Sequence, residues 1–367
     1  MYQNTSIDVV IPSFRLDEDV LLNIFNVERP DGFLVNFYIV ADNPSLVIPD
    51  GILKLADDNK INLIKNEVNL GFSKTRNNGI RLGRGKWILL LDDDIMPSKK
   101  LLIAYAEAIQ NNPDSIGFAG VTNFPLPFNA ATRAMDINGT TGHFKAALDN
   151  KPLVWVPTAN VMLNREKMDV TLFNEKLSKG GEDIEFLLRN SLSYKEKYIP
   201  VPDAVVEHPW WNNGAVQTER IFRYGRGASD IAALNTIKPY TYHDFLNTSE
   251  CILLLLVFSP LVVALYSVNE LFLLMFLVLF AEVLTNLIKV FYKSKSLSLP
   301  VALNLFWIKN CYEAGYLFES LSKGRLWGFA ERIEMGFVKE NPSWFRLNKW
   351  KIIKTILLLV MFILTRL

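Results

Sequence analysis

Residues 251–268 form an eighteen-residue run without a charge, and residues 271–287 follow with Glu282 as their one charge. The hydrocarbon core of a bilayer takes roughly 20 apolar residues per helix, so the two runs suit a helical hairpin in a slightly thinned membrane. Two buried helices of a soluble domain are the alternative, and charge placement argues against it. The turn between the runs, Asn269 and Glu270, has no basic residue, whereas Lys289, Lys293 and Lys295 follow the second run directly. By the positive-inside rule that end faces the cytoplasm, and so does everything before residue 251. The N-terminus has no basic segment followed by an apolar one, so no secretory signal is read there. Residues 301–321 mix Trp307, Tyr312 and Tyr316 with Lys309, Glu313 and Glu319, which suits an interfacial helix. Residues 352–367 are apolar but interrupted by Lys354 and Arg366, and fit either a third span or an interfacial anchor. The expected organisation is a cytoplasmic domain at 1–246 and a membrane-anchoring region at 247–367, multi-pass in the cell (inner) membrane.

The first part of the chain has a different rhythm. Short β-branched runs at 7–12, 33–40, 61–65 and 87–91 alternate with helical spacing at 18–25, 73–82 and 99–110. Such alternation implies a parallel sheet covered on both faces. Ligands of such sheets bind beyond the carboxyl ends of the strands, and polar residues follow Ile11, Val40 and Leu91. Residues 123–150 are turn-rich and read as an irregular loop region. Residues 154–163 return to strand character, and 182–190 and 218–231 read as helices.

Asp92, Asp93 and Asp94 end the run Trp-Ile-Leu-Leu-Leu. Three adjacent carboxylates repel one another, and a bound hard cation relieves that repulsion while bringing phosphate oxygens with it. A solvated acidic turn is the plainer alternative. Alternation along the strand sets Asp92 and Asp94 on one side and Asp93 on the other. The net charge of +1 gives no electrostatic ground for nucleic acid as a partner. Cys251 and Cys311 are the two cysteines, far apart in sequence, so no disulfide framework is expected.

Five segments in this order resemble the inverting family-2 glycosyltransferases of GT-A fold. They are Val9-Val10-Ile11-Pro12-Ser13-Phe14, Ile39-Val40-Ala41-Asp42-Asn43, Asn69-Leu70-Gly71-Phe72-Ser73 with Arg76-Asn77, the aspartate triplet, and Gly180-Gly181-Glu182-Asp183. The resemblance runs from about residue 7 to residue 229. It implies a GT-A (Rossmann-like), mostly parallel α/β sheet with helices on both faces, followed here by the helical membrane region. It further implies a nucleotide-sugar donor, UDP- or GDP-linked, a lipid-linked or glycan acceptor near membrane lipid, and Mn²⁺ or Mg²⁺ as cofactor.

Roles follow by resemblance. Pro12 and Ser13 correspond to the first wall of the nucleotide pocket, and Asp42 to the acceptor for the base. Asn69 and Arg76 correspond to the helix entry near base and phosphates, although Arg76 also suits a surface salt bridge. Asp94 corresponds to the metal-binding second carboxylate of the family's DxD motif. Asp92 and Asp93 would contact the ribose or orient ligands, with Asp92 close enough to share the metal. Asp183 corresponds to the general base of the family's ED motif, with Glu182 beside it, though acidic residues are ordinary in a first helical turn. His208 lies where some relatives place a phosphate or metal ligand. Arg220, Arg223 and Arg226 resemble the segment that covers the donor diphosphate, Arg223 and Arg226 being the candidate donor contacts. Processive members carry QxxRW; here Gln217 and Arg220 match, but Ile221 replaces the tryptophan. That departure favours a single addition over polymer synthesis.

Overall fold

Apolar, β-branched runs build the strands β1 (Thr5–Ser13), β2 (Phe33–Ala41), β3 (Asn62–Lys65), β4 (Trp87–Leu91), β5 (Met96–Pro97), β6 (Gly117–Asn123), β7 (Asn160–Asn164) and β8 (Ile199–Glu207). The helices α1 (Glu18–Phe25), α2 (Asp50–Asp57), α3 (Phe72–Leu82), α4 (Leu101–Asn111), α5 (Ala130–Asn138) and α6 (Glu182–Tyr194) separate them. This computed structural model describes residues 5–340, 345–346 and 348–367. They divide into two units. One contains the chain up to Leu126 with Thr141–Ser178 and Glu182–Trp210; the other contains Pro127–Thr140, Lys179–Gly181 and Trp211–Leu367.

In the first unit all eight strands join one sheet in the order β3-β2-β1-β4-β7-β6-β8-β5. All five residues of β4 are buried, as are Ile7 to Ile11 of β1, which is the signature of a sheet covered on both faces. The sheet is mostly parallel, as expected, and its antiparallel pairs fall in one half, where β6 and β8 still pair parallel. β1 pairs parallel with β2 and β4, and β2 with β3, but β7 runs antiparallel to both β4 and β6. The reason lies in the connection from β6 to β7. It is not a single crossover helix, and it includes α5, which groups with the second unit. That connection was expected to be irregular. Instead, Asn129 caps α5 in a reciprocal box with Thr132, and a 3₁₀ segment follows at His143–Asp149. Strand character expected at 154–163 is confined to β7.

One buried charge organises the far end of the sheet from the site. Asp8, fully buried on β1, accepts hydrogen bonds from Gly85 N (2.6 Å) and the Arg165 guanidinium (2.8 Å). Arg165 also donates to the carbonyls of Ile80 and Gly85. Every charged atom there has a partner, which is the condition for tolerating it in a core.

The second unit is helical: α7 (Thr218–Ala232), α8 (Thr248–Val257), α9 (Ser259–Leu265), α10 (Val268–Ser294), α11 (Leu299–Ser322) and α12 (Lys349–Leu364), with a small antiparallel pair β9 (Thr241–His243) and β10 (Glu331–Ile333). α7 and α11 touch backbone to backbone. A Cβ on Gly225 would lie 2.0 Å from the Tyr312 carbonyl oxygen, and one on Gly315 would lie 2.1 Å from that of Phe222. The first expected span is not a straight helix: α8 and α9 meet at 63°. Pro260, in the first turn of α9, has no N–H with which to continue the α8 ladder. The second expected span forms the single helix α10, 27 residues long. Among the described residues it is the one helix long and apolar enough to cross a membrane, or one of two if the bent pair counts. The segment expected to be interfacial forms α11, and the C-terminal segment forms the 16-residue α12.

Candidate metal and donor site

The end of β4 and the end of β8 are brought together by β5. Met96 and Pro97 turn back from the aspartate triplet and pair with Glu207 and Val206. His208, the next residue, donates its backbone N–H to Asn123 O (2.8 Å) and stacks on Phe124. Its Nε2 thereby lies 3.1 Å from Asp94 Oδ1. Asp92, Asp94 and His208 each offer a ligand atom, and these atoms all lie within 4.8 Å of one another. The Nδ1 atom is 2.6 Å from Pro209 O, so Nδ1–H donates to that carbonyl and Nε2 is the atom turned toward the carboxylates. Burial alone would lower the histidine's pKa, but the hydrogen bond and charge of Asp94 outweigh it and hold the pKa above its ordinary value.

Asp93, in the turn past the end of β4, faces the loop after β1. It is buried, and its Oδ2 accepts from Ser13 Oγ (2.8 Å), Phe14 N (3.0 Å) and Arg15 N (3.1 Å). Arg15 also reaches Asp93 Oδ1 and lies 2.7 Å from Asp94 Oδ2. The carboxylate thus ties the loop after β1 to the loop after β4. Pro12 pairs with Val40 in the β1–β2 register, and Ser13, one residue on, spends its hydroxyl on Asp93 and on Leu16 N. Arg15 was not singled out from the sequence. Its signal was a lone cation two residues past the end of a strand adjacent to an aspartate triplet, and that adjacency is visible only once β1 and β4 are known to pair.

A second carboxylate anchors the neighbouring loop. Asp42 Oδ1 accepts from Leu70 N and Asn66 Nδ2, both at 2.8 Å, and Oδ2 accepts from Gly71 N at 2.9 Å. Two oxygens offer about four acceptor directions, so these bonds leave about one on Oδ2. Asn69 Oδ1 accepts from the same Gly71 N–H at 3.0 Å. Gly71 caps α3 at φ +79°, a conformation that favours glycine.

From α3, the Arg76 guanidinium is buried between two acids. It donates to Glu182 Oε1 at 2.7 Å and to Asp92 Oδ1 at 3.1 Å, while its buried Nε has no hydrogen-bond partner. Glu182 opens α6, and Asp183, half-buried beside it, accepts from Ile184 N at 2.8 Å. Burial raises both carboxyls above their ordinary range, and the positive charge of Arg76 partly offsets the rise. The first unit therefore brings Asp92, Asp94 and His208 together, and links Asp92 through Arg76 to Glu182. Arg223 and Arg226 belong to the helical unit. There Arg226 Nε donates to Glu319 Oε2 at 2.6 Å, and Arg223 lies over the Tyr224 ring.

A mixed α/β sheet with acidic residues beyond its strand ends offers a place to hold a charged ligand. Residues 8–172 match the model of glycosyl transferase family 2, and this part of the chain belongs to that family. An uncharacterized glycosyltransferase of Methanocaldococcus jannaschii is 39% identical over 80 residues, 21% of this chain and 28% of that protein. The match therefore spans little more than a quarter of that relative's length. Among solved structures, a mannosyltransferase from Pyrobaculum calidifontis in complex with GDP-Man and Mn²⁺ is similar at 12% identity and a TM-score of 0.47, over 89% of this chain and 78% of that one. GalNAc-T7 with UDP, GalNAc and Mn²⁺ is similar at 14% identity and a TM-score of 0.46, over 65% and 50%.

Proposed function

We propose that this chain is an inverting, metal-dependent glycosyltransferase of the inner membrane. It would move a hexose from a UDP- or GDP-linked donor to a lipid-linked or membrane-near glycan acceptor on the cytoplasmic side. The observation that carries the reading is the approach of Asp92, Asp94 and His208 to within 4.8 Å. Two carboxylates suit a hard cation of the Mn²⁺ or Mg²⁺ kind, and the imidazole, presented through Nε2, inclines the set toward Mn²⁺. When bound, such a cation supplies positive charge for the leaving diphosphate.

The chain's own residues do the rest. Asp42 keeps an acceptor direction on Oδ2 for an N–H of the nucleotide base. Arg76 holds Asp92 and Glu182 in one arrangement, so neither carboxylate has to be organised when the donor arrives. Asp183 takes the proton of the acceptor hydroxyl as its oxygen bonds to the anomeric carbon and the bond to the donor diphosphate breaks. Its burial-raised pKa makes it a better base than a solvated aspartate. Ile221, in place of the tryptophan of processive members, favours one addition per encounter.

Calorimetric titration of UDP and GDP, with and without Mn²⁺, tests the metal site. Asp94→Asn is expected to abolish the Mn²⁺ enhancement of nucleotide affinity and with it turnover. Retained metal-dependent binding in that variant would remove Asp94 from the ligand set.

A further inference from the structure

Three helices of the second unit enclose an apolar slab whose thickness can be read from its ion pairs. α10 and α12 run antiparallel. Glu270 meets Arg366 through two bonds of 2.9 and 2.6 Å, Glu282 meets Lys354 at 2.8 Å, and Tyr292 packs on Trp350. Between the first two contacts lie residues 271–281 and 355–365, without a charge in either stretch. At a rise of ~1.5 Å per residue the slab is ~17 Å thick. The α8–α9 elbow flanks it, leaving from the level of Lys354, where Thr248 Oγ1 accepts from Nζ at 2.9 Å. Leu256, Phe258 and Leu265 on the elbow, Phe272 and Phe276 on α10, and Val360 on α12 are all exposed around the slab.

The two faces of the slab differ. On one lies a broad ionic layer. Lys309 and Lys354 both hold Glu282 at 2.8 Å, Lys354 also donates to Leu246 O, Lys351 lies 3.3 Å from Asp244, and Arg332 lies 2.8 Å from Glu250. Irregular backbone at residues 244–247 and the β9–β10 pair belong to the same region. Such backbone is not tolerated against lipid, so this layer marks where hydrocarbon ends. On the other face, among the described residues, Glu270 and Arg366 neutralise one another through two hydrogen bonds.

A slab of ~17 Å is too thin for the ~30 Å hydrocarbon core and close to half of it. We propose that the helical unit sits in one leaflet of a phospholipid bilayer. The α8–α9 elbow and the N-terminal half of α10 enter and leave by the same face, and the C-terminal half of α12 lies beside them. The paired Glu270 and Arg366 then reach the bilayer middle, where their mutual neutralisation lowers the cost of burial. Beyond the ionic layer α10 continues through Lys289, Lys293 and Lys295, and α12 begins at Lys349, which lies 4.0 Å over the Tyr292 ring. This places cations and aromatic rings on the headgroup side of the layer, as an anionic leaflet requires.

The inference rests on the membrane association proposed above and replaces the hairpin of two full spans. The test uses the full chain with Cys251→Ser and Cys311→Ser, carrying either Tyr266→Cys or Leu367→Cys labelled with NBD. Val170→Cys, on an exposed residue of the first unit, serves as control. Each protein is bound to phosphatidylethanolamine–phosphatidylglycerol vesicles. For half-insertion, NBD at both tip positions is quenched most by deep doxyl-lipids and is reduced by dithionite from neither side, while the control is reduced from outside. Reduction of the tip probes only by dithionite enclosed in the vesicles would show a full crossing and overturn the proposal. Reduction from outside, or failure of the unlabelled wild type to float with the vesicles, would overturn it together with the membrane reading.

Discussion

Replacing Arg76 by Met isolates the guanidinium that makes a buried Glu182 tolerable. The Arg76 and Glu182 side chains are 8% and 9% exposed, whereas Asp92 is 31% exposed. Asp92 can turn to water when Arg76 is gone, and Glu182 cannot. Even with Arg76 present, burial, aided by the charge of Asp183, pushes the Glu182 carboxyl up to about 7 from an ordinary 4.5. An acid with a raised folded pKa keeps its proton in the native state after the unfolded chain has lost it. Stability therefore falls as pH rises between 4.5 and about 7, and levels off above. At ~1.36 kcal/mol per pH unit that fall is roughly 3 kcal/mol in the wild type. Without Arg76 the window extends upward and the fall deepens. At about pH 5, with the carboxyl neutral in the folded protein, Arg76→Met should cost roughly 1–2 kcal/mol for lost hydrogen bonds. At about pH 8 it should cost roughly 3–5 kcal/mol, the scale for leaving one charge of a buried pair uncompensated. Urea midpoints from tryptophan fluorescence of the full chain in detergent, measured across this pH range, read the difference. Adding Glu182→Gln to Arg76→Met should flatten the pH dependence. Equal losses at the two pH extremes, or a double variant as pH-sensitive as the single one, would refute the reasoning.

Asp183→Asn should leave nucleotide-sugar affinity within roughly threefold while lowering turnover by at least ~100-fold; near-normal transfer would move the base elsewhere. Glu182→Gln should be the milder of the two, because its carboxylate is engaged by Arg76. Gly225→Ala places a methyl against the Tyr312 carbonyl and should lower the stability of the helical unit by roughly 1–3 kcal/mol. An unchanged melting temperature would mean that α7 and α11 separate freely.

The strands β1 and β4 were legible because a buried strand writes itself as a continuous apolar run. α1 was legible from its helical spacing, and in the structure Asp17 caps it, accepting from Val20 N at 3.1 Å. The direction of β7 was not legible, since a strand's local pattern is the same whichever way it runs. α5 was hidden by its polar composition, although its capping box stands in the sequence. The bend between α8 and α9 was missed because hydropathy counts residues and is blind to the angle between them. At the site, the aspartate triplet announced itself. That Glu182 would spend its charge on Arg76, 106 residues away, and that Arg15 would face Asp93 and Asp94, are facts of strand order that no local pattern carries.

The Asp8 cluster sets a constraint on how this sequence can drift. A Cβ on Gly83 would lie 2.2 Å from Asp8 Oδ2, and one on Gly85 would lie 2.8 Å from its Cγ. The carboxylate occupies the room that either side chain would need, and Arg165 neutralises it. Losing Asp8 alone strands a guanidinium, losing Arg165 alone strands a carboxylate, and gaining a side chain at either glycine displaces both. The four positions should therefore substitute together or not at all. In an alignment they would emerge as a co-varying block spanning 157 residues of chain, and a homologue that lacks one member should lack the others.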